Sequence, residues 1–165
     1  MSESAEGQGP WGNPGFLLWR VTLRWQRAVG AVLRPLGLTH PQFVVLASTW
    51  WLGRGGQPPS QRELAEHTGM DAMTASQVAR ALEAKDLIRR EQDARDTRIK
   101  RLHVTGEGVT VAQKAIEAVE SVDREYFKAV PGHSAFVASL LALAPPPGPA
   151  AEGEHHAGRG GDGEH

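Results

Sequence analysis

The sequence predicts a mostly α-helical chain that carries one small β-hairpin. Three observations predict it. Apolar residues recur at spacings of three and four through most of residues 16–143, as in helices that bury one face. A Ser60-Gln61-Arg62-Glu63 capping box opens a short helix that Gly69 stops within about two turns. Beyond Asp86 the period changes to alternation on both sides of a charged loop, as in two paired strands.

The first helix is read over residues 16–36, with Leu18, Val21, Trp25, Ala28, Val32 and Leu36 along one stripe. Phe16, Trp19 and Leu23 add a second apolar strip, and Arg20, Arg24, Arg27 and Arg34 take the remaining face. An arc this wide belongs to a helix covered from more than one side. Gly37 and Pro41 punctuate the chain, and an apolar helix follows over 41–52. Residues 53–59 form a loop rich in glycine and proline. The short helix at 61–67 ends before Gly69, and the next runs over 72–85 with Asp71 as its N-cap. Strands are predicted at 87–91 and 99–104 around the loop 92–97. Thr105 caps a long helix whose stripe is Val109, Ala112, Ile116, Val119, Tyr126 and Val130. Pro131-Gly132 breaks it, and 134–143 forms a last apolar helix.

Both ends are predicted to be disordered. Residues 1–15 are small and polar apart from Trp11, and residues 144–165 hold 4 Pro and 6 Gly with almost no large apolar side chain. The 165 residues carry 18 Lys+Arg against 19 Asp+Glu, a formal net charge of -1. The acidic ends mask the distribution: residues 16–143 hold 17 basic and 13 acidic side chains, and 80–101 alone hold 8 and 5.

No cysteine is present, which excludes disulfides, thiolate nucleophiles, iron–sulfur clusters and Cys-ligated zinc. The first residues lack the basic and apolar segments of a signal peptide, and the longest apolar stretches reach about half a membrane span. A reduced compartment, the cytoplasm, is therefore expected, with no membrane partner. G-x-S-x-G, H-E-x-x-H and phosphate-binding glycine loops are absent. His40, His67, His103 and His133 are too scattered for a metal site, and His155-His156 lie in a tail that offers no fixed geometry. No enzyme, cofactor or metal is expected.

Two helices joined by a tight glycine turn and followed by a hairpin are the winged form of the helix-turn-helix. Ala65 lets the second helix approach, Gly69 supplies a left-handed turn, and Met70, Ala75 and Val78 hold the interhelical angle. Arg95 and Arg98 fall at or beside the hairpin tip, where guanidinium groups can enter a narrow minor groove or clamp a phosphate. Asp93 and Asp96 can hold those arginines in fixed rotamers by bidentate pairing. The alternative is a mobile charged hairpin whose surface ion pairs contribute little.

The segment Asp93-Ala94-Arg95-Asp96-Thr97-Arg98, followed by Leu102-His103-Val104-Thr105-Gly106-Glu107-Gly108, resembles the wing signature of the MarR family of bacterial transcription regulators. Leu38-Thr39-His40-Pro41-Gln42-Phe43, Pro59-Ser60-Gln61-Arg62-Glu63-Leu64-Ala65 and Leu82-Glu83-Ala84-Lys85-Asp86-Leu87-Ile88 are similar to the same family, so the resemblance spans 16–143 in order. It implies a homodimer in which N- and C-terminal dimerisation helices, 16–36 and 105–143, flank a winged helix-turn-helix at 41–104. It also implies a sequence-specific double-stranded DNA-binding regulator of transcription, a repressor released from a palindromic operator by a small aromatic or lipophilic effector. Such a protein works in the bacterial cytoplasm, on the nucleoid when DNA-bound.

On this resemblance Thr74, Ser76 and Gln77 enter the major groove and Arg80 lies near a phosphate or base edge. Ser60, Gln61, Arg95 and Arg98 complete the DNA-contact set, with Asp93 and Asp96 supporting the wing. Asp71-Ala72-Met73 departs from the pattern, since many relatives carry Ser or Lys there. An acid repels phosphate, so Asp71 is read as a cap and binding shifts toward Arg80, Arg95 and Arg98. Trp19, Arg20, Trp25 and Trp50 are candidates for an effector cleft, although the indoles can equally fill the core. Without cysteine, the thiol-based peroxide sensing of some members is excluded. The competing function is a winged-helix protein-interaction module with no effector or specific DNA role, which Asp71 and the uncharged front of the recognition helix favour.

Overall fold

The computed structural model describes residues 9–147 of the chain. Among them, helices α1 (Pro14–Leu33), α2 (His40–Gly53), α3 (Gln61–Thr68) and α4 (Ala72–Glu83) lead into strands β1 (Ile88–Gln92) and β2 (Lys100–Val104). Helices α5 (Gly106–Phe127) and α6 (His133–Leu143) follow. The expected disorder at 1–8 and 148–165 lies outside the described residues. Residues 9–15 depart from that expectation. Gly9–Gly12 forms a 3-10 turn, and the Asn13 side chain caps α1 by accepting from the Phe16 amide at 2.9 Å. Trp11 packs edge-on against Phe16, and the Arg20 guanidinium lies 4.7 Å from the Trp11 ring centre. A cap and an aromatic contact thus order a stretch whose composition is that of a tail.

Helix α1 stops before the predicted end because Pro35 has no amide to donate. The chain tightens into a 3-10 turn, Arg34–Leu36, and leaves through Gly37 in the left-handed region. Thr39 and Gln42 then form a second capping box, which starts α2 at His40. Ser60 and Glu63 form the predicted one at α3, and Gly69, with φ 69°, makes the turn into α4.

A single core collects every element except α6. Val29 and Leu33 come from α1, Val45 and Leu46 from α2, and Leu64 from α3. Ala79 and Leu82 of α4 meet Ile88 and Leu102 of the hairpin, and Ala112, Ala115 and Val119 of α5 close the cluster. The buried face of α1 therefore differs from the predicted stripe. Val29 and Leu33 carry it, while Leu18 and Val21 are exposed, as is Trp19. Only the second half of α1 has buried residues, so among the described residues much of the wide apolar arc over its first half stays exposed. Helix α6 is apolar along its length and has no buried residue.

The hairpin pairs β1 and β2 antiparallel, from Ile88 opposite Val104 to Gln92 opposite Lys100. The stretch before α3 lines the other edge of β2: Leu102 donates to the Pro59 carbonyl at 2.9 Å, and Ser60 bridges Arg101. Helix α5 meets the base of the hairpin at Thr105 and Gly108. The Thr105 hydroxyl donates to the Asp86 carbonyl at 2.6 Å and accepts from the Gly108 amide at 3.0 Å. A Cβ on Gly108 would lie 2.0 Å from the Leu87 carbonyl oxygen and 2.8 Å from a Val104 methyl. The T-x-x-G pattern thus records one cap and one forced close approach. Gly108→Ala is expected to lower unfolding free energy by about 1–3 kcal/mol through overpacking against backbone. Urea denaturation at fixed protein concentration measures it, and an unchanged midpoint would contradict the close packing.

Candidate nucleic-acid interface

Helix α4 turns Ala75, Ala79 and Leu82 into the core, which leaves Met73, Thr74, Gln77 and Arg80 facing outward. Ser76 is half-buried beside this row. Asp71 caps the helix as predicted, accepting from the Thr74 amide at 2.9 Å and the Thr74 hydroxyl at 2.6 Å. Those two bonds hold the Asp71 carboxyl below the usual carboxylate range, with the hydroxyl the larger cause. The Thr74 hydroxyl proton is therefore committed to Asp71, and the residue presents its methyl group and remaining lone pair outward. Met73, 72% exposed, also stands on this face and is not among the predicted contacts.

Ser60 and Gln61 sit at the start of α3. Ser60 is only 9% exposed, and its hydroxyl oxygen accepts from the Glu63 amide at 3.1 Å. Its first duty is the cap. Gln61 is half-buried, and Arg62, exposed, pairs with Glu66 at 2.8 Å. Between this end of α3, the α3–α4 turn and the wing runs an open groove of about 1080 Å³, with Gln61, Arg62 and Ala72 on one rim and Arg98, Ile99 and Lys100 on the other.

The wing loop is built by its two aspartates, though not as a symmetric pair of arginine clamps. Asp96 grips Arg98 bidentately, Nε to Oδ1 at 3.0 Å and Nη2 to Oδ2 at 2.8 Å, and Arg98 otherwise projects into solvent. Asp93 corrects the prediction. One of its oxygens accepts the Arg95 and Asp96 amides at 2.8 and 3.1 Å, and the other accepts from Arg101 Nε at 2.7 Å. The Arg101 guanidinium, helped by the two amides, holds the Asp93 carboxyl at about 2. An aspartate two residues before an amide is well placed to close an Asx turn, and that local geometry outcompetes pairing with the Arg95 side chain. The Arg95 guanidinium has no ion pair among the described residues and points from the exposed tip.

A MarR-family sequence model matches residues 38–100 of this chain. The chain is 37% identical over 143 residues to the uncharacterized HTH-type transcriptional regulator YdcH of Bacillus subtilis, covering 87% of this chain and 97% of the relative. The chain belongs to the MarR family. Another relative, the HTH-type transcriptional repressor Rv2887 of Mycobacterium tuberculosis, is 32% identical over 66% of this chain and 76% of its own length. Among solved structures, CouR of Rhodococcus jostii bound to p-coumaroyl-CoA superposes with a TM-score of 0.75 at 27% identity, over 86% of this chain and 98% of that one. As a MarR-family member the chain is a DNA-binding transcriptional regulator and not an enzyme. Among the described residues no helix is long and apolar enough to cross a membrane, and no three metal-ligating side chains cluster.

The four effector candidates do not share one cleft in this MarR chain. Trp19 and Arg20 line a shallow hollow of about 380 Å³ on α1, together with Phe16, Leu23, Arg24 and Arg27. Trp25 turns to the junction of α1, α2 and α5, where its Nε1 donates to Asp123 at 2.7 Å and its ring meets His40 edge-on at 5.0 Å. Burial lowers the His40 imidazole from its ordinary value, against the opposing pull of Asp123. Trp50 is half-buried near the end of α2 under Arg54. A separate apolar cleft of about 490 Å³ lies between α1 and α5, lined by Ala28, Val32, Ala118, Val122 and Tyr126 among others. The residues that sequence reasoning missed are Arg101 and Glu63 as a pair, Glu83 with Arg90 at 2.6 Å, and Lys85 on the Gly37 carbonyl at 2.7 Å. Each joins elements far apart in sequence or in orientation, and no motif spacing announces them.

Proposed function

We propose that the chain works as a homodimeric repressor that binds a palindromic duplex operator and leaves it when a small aromatic or lipophilic ligand binds. The observation that carries the DNA reading is the outward row Thr74, Gln77 and Arg80 on α4 beside an arginine-tipped wing. In this reading α4 lies in the major groove. Gln77 bonds a base edge, Thr74 and Met73 offer apolar contact to thymine methyls, and Arg80 reaches a phosphate or base. Ser76 and the α3 start, Ser60 and Gln61, flank the backbone, and Arg95 and Arg98 enter the minor groove. Asp93 and Asp96 shape the loop that carries them.

The winged helix-turn-helix of 41–104 shares its core with the second half of α1 and with α5, and in this reading the dimerisation role falls to the remaining surfaces of 16–36 and 105–143. Two uncovered apolar surfaces support it: Leu17, Leu18, Trp19 and Val21 on α1, and Val137, Leu140, Leu141 and Leu143 on α6. Exposed apolar area on this scale is normally covered by a partner, and a two-fold axis would set two α4 helices about one DNA turn apart. The ligand-bound CouR structure supports an effector in this fold, and the apolar α1–α5 cleft and the Trp25 junction are the two places of suitable chemistry. Such a regulator acts in the cytoplasm, on the nucleoid when bound.

Three outcomes are expected. Binding to an enriched duplex should weaken steeply with salt, and Arg95→Ala should cost about 1–3 kcal/mol in a fluorescence-anisotropy titration. Unchanged affinity would take the wing out of the mechanism, and no duplex binding at low salt would favour a protein-contact module. Light scattering at micromolar concentration should give twice the mass of one chain, and a monomer would remove the dimer. A panel of aromatic carboxylic acids and their coenzyme A thioesters should contain at least one compound that releases the duplex and quenches tryptophan fluorescence. A panel with no releasing member would withdraw ligand control.

A further inference from the structure

Among the described residues a polar network centres on Arg101, a largely buried arginine that lines the groove between the start of α3 and the wing. The Arg101 side chain is 16% exposed and that of its partner Asp93 14%. Its Nε donates to Asp93 Oδ2 at 2.7 Å, and Nη1 donates to Glu63 Oε2 at 3.0 Å and to the Pro58 carbonyl at 3.2 Å. Both carboxylates are themselves engaged. Glu63 Oε2 also accepts the Ser60 amide at 2.6 Å, the reciprocal bond of the α3 capping box. Asp93 Oδ1 accepts the Arg95 and Asp96 amides. A continuous run of charge-assisted hydrogen bonds therefore leads from the amides of the wing loop, through one guanidinium, to the N-cap of α3.

We propose that Arg101 is a positioning residue for operator binding: it locks the wing loop to the start of α3 and so sets the span between Arg95 and the recognition helix. This inference rests on the proposed DNA role of the wing. The planar fork is what the task requires, because two acceptors on opposite walls and a carbonyl must be held at fixed angles at once; a lysine ammonium has no such fork. Arg101 lines the groove between the two rims described above, so the lock also fixes the groove width. Without it the two-stranded wing keeps its ladder but swings at its tip, and binding must then order the loop.

The test is a double-mutant cycle on the full-length protein, using the duplex that the wild type enriches from a random-sequence pool. Arg101→Gln should weaken binding about tenfold while leaving the mass and the thermal unfolding of the core in place. Arg95→Ala, costly in the wild type, should cost less than about twofold in the Arg101→Gln background, whereas Arg80→Ala should cost the same in both. Arg101→Lys should fall well short of wild-type affinity. Additive losses for Arg95 and Arg101, or wild-type binding by Arg101→Lys, would overturn the proposal while leaving the DNA role of the wing standing. No effect of Arg95→Ala in any background would sink that role, and the proposal with it. Hydrogen exchange on the free protein gives a readout without DNA: Arg101→Gln should speed exchange of the Arg95 and Asp96 amides and spare those of α5. Unaltered exchange there would also overturn the lock. If Arg101→Gln does not fold, Glu63→Gln keeps the capping box, removes the charge facing Arg101, and should show the same non-additivity with Arg95→Ala.

Discussion

The rest of the molecule depends on how closely α5 can approach the base of the hairpin. Gly108 has room only for hydrogen, because the Leu87 carbonyl occupies the space of a side chain. With that contact made, the Thr105 hydroxyl can serve both its own helix and the carbonyl at the α4–β1 turn. The turn itself passes through Asp86 at φ 57°, a conformation that aspartate tolerates better than most residues. The hairpin, the recognition helix and the long helix are thus joined within a few residues, and a shift in one is felt by the others through backbone and not through pliable side chains.

Around that joint the polar contacts tie elements together instead of decorating a surface. Glu83 holds Arg90 at the start of the wing, and Lys85 reaches back to the Gly37 carbonyl and Gln42 at the α1–α2 junction. The far end of α4 is therefore anchored to the wing on one side and to the first helices on the other. Trp25, His40 and Asp123 meet near that same junction. A ligand that displaced α1 against α2 would act on a place already connected to the recognition helix. The front of α4, by contrast, carries few fixed contacts beyond the Asp71–Thr74 cap, and its outward side chains remain free to meet a partner.

The charges are arranged in the same spirit. The chain is nearly neutral overall, yet basic side chains concentrate between Arg80 and Arg101, chiefly on the hairpin. The acids there are not idle against DNA: Asp71, Asp93 and Asp96 are each spent on a cap, a turn or an arginine, all with depressed carboxyl pKa values. What they lose in phosphate repulsion they return as geometry, since an arginine or loop with fewer conformations loses less entropy on binding.

Much was legible in the residues taken in order. Caps at Ser60, Asp71 and Thr105, the glycine turn at Gly69, the switch to alternating period and the wing motif are all local, decided within one or two turns of chain. They sufficed for the winged helix-turn-helix and for its family. The tertiary structure alone decided which face of α1 is buried, because that depends on where α5 crosses it and stops covering it. It alone brought Glu63 to the Arg101 guanidinium that also holds Asp93, since that requires the Pro58–Ser60 stretch to run beside β2. It alone separated the aromatic side chains that a linear reading groups into one cleft. Sequence determines what each short stretch can form; packing decides which side chains are left to face one another, and that is a property of distances no spacing along the chain contains.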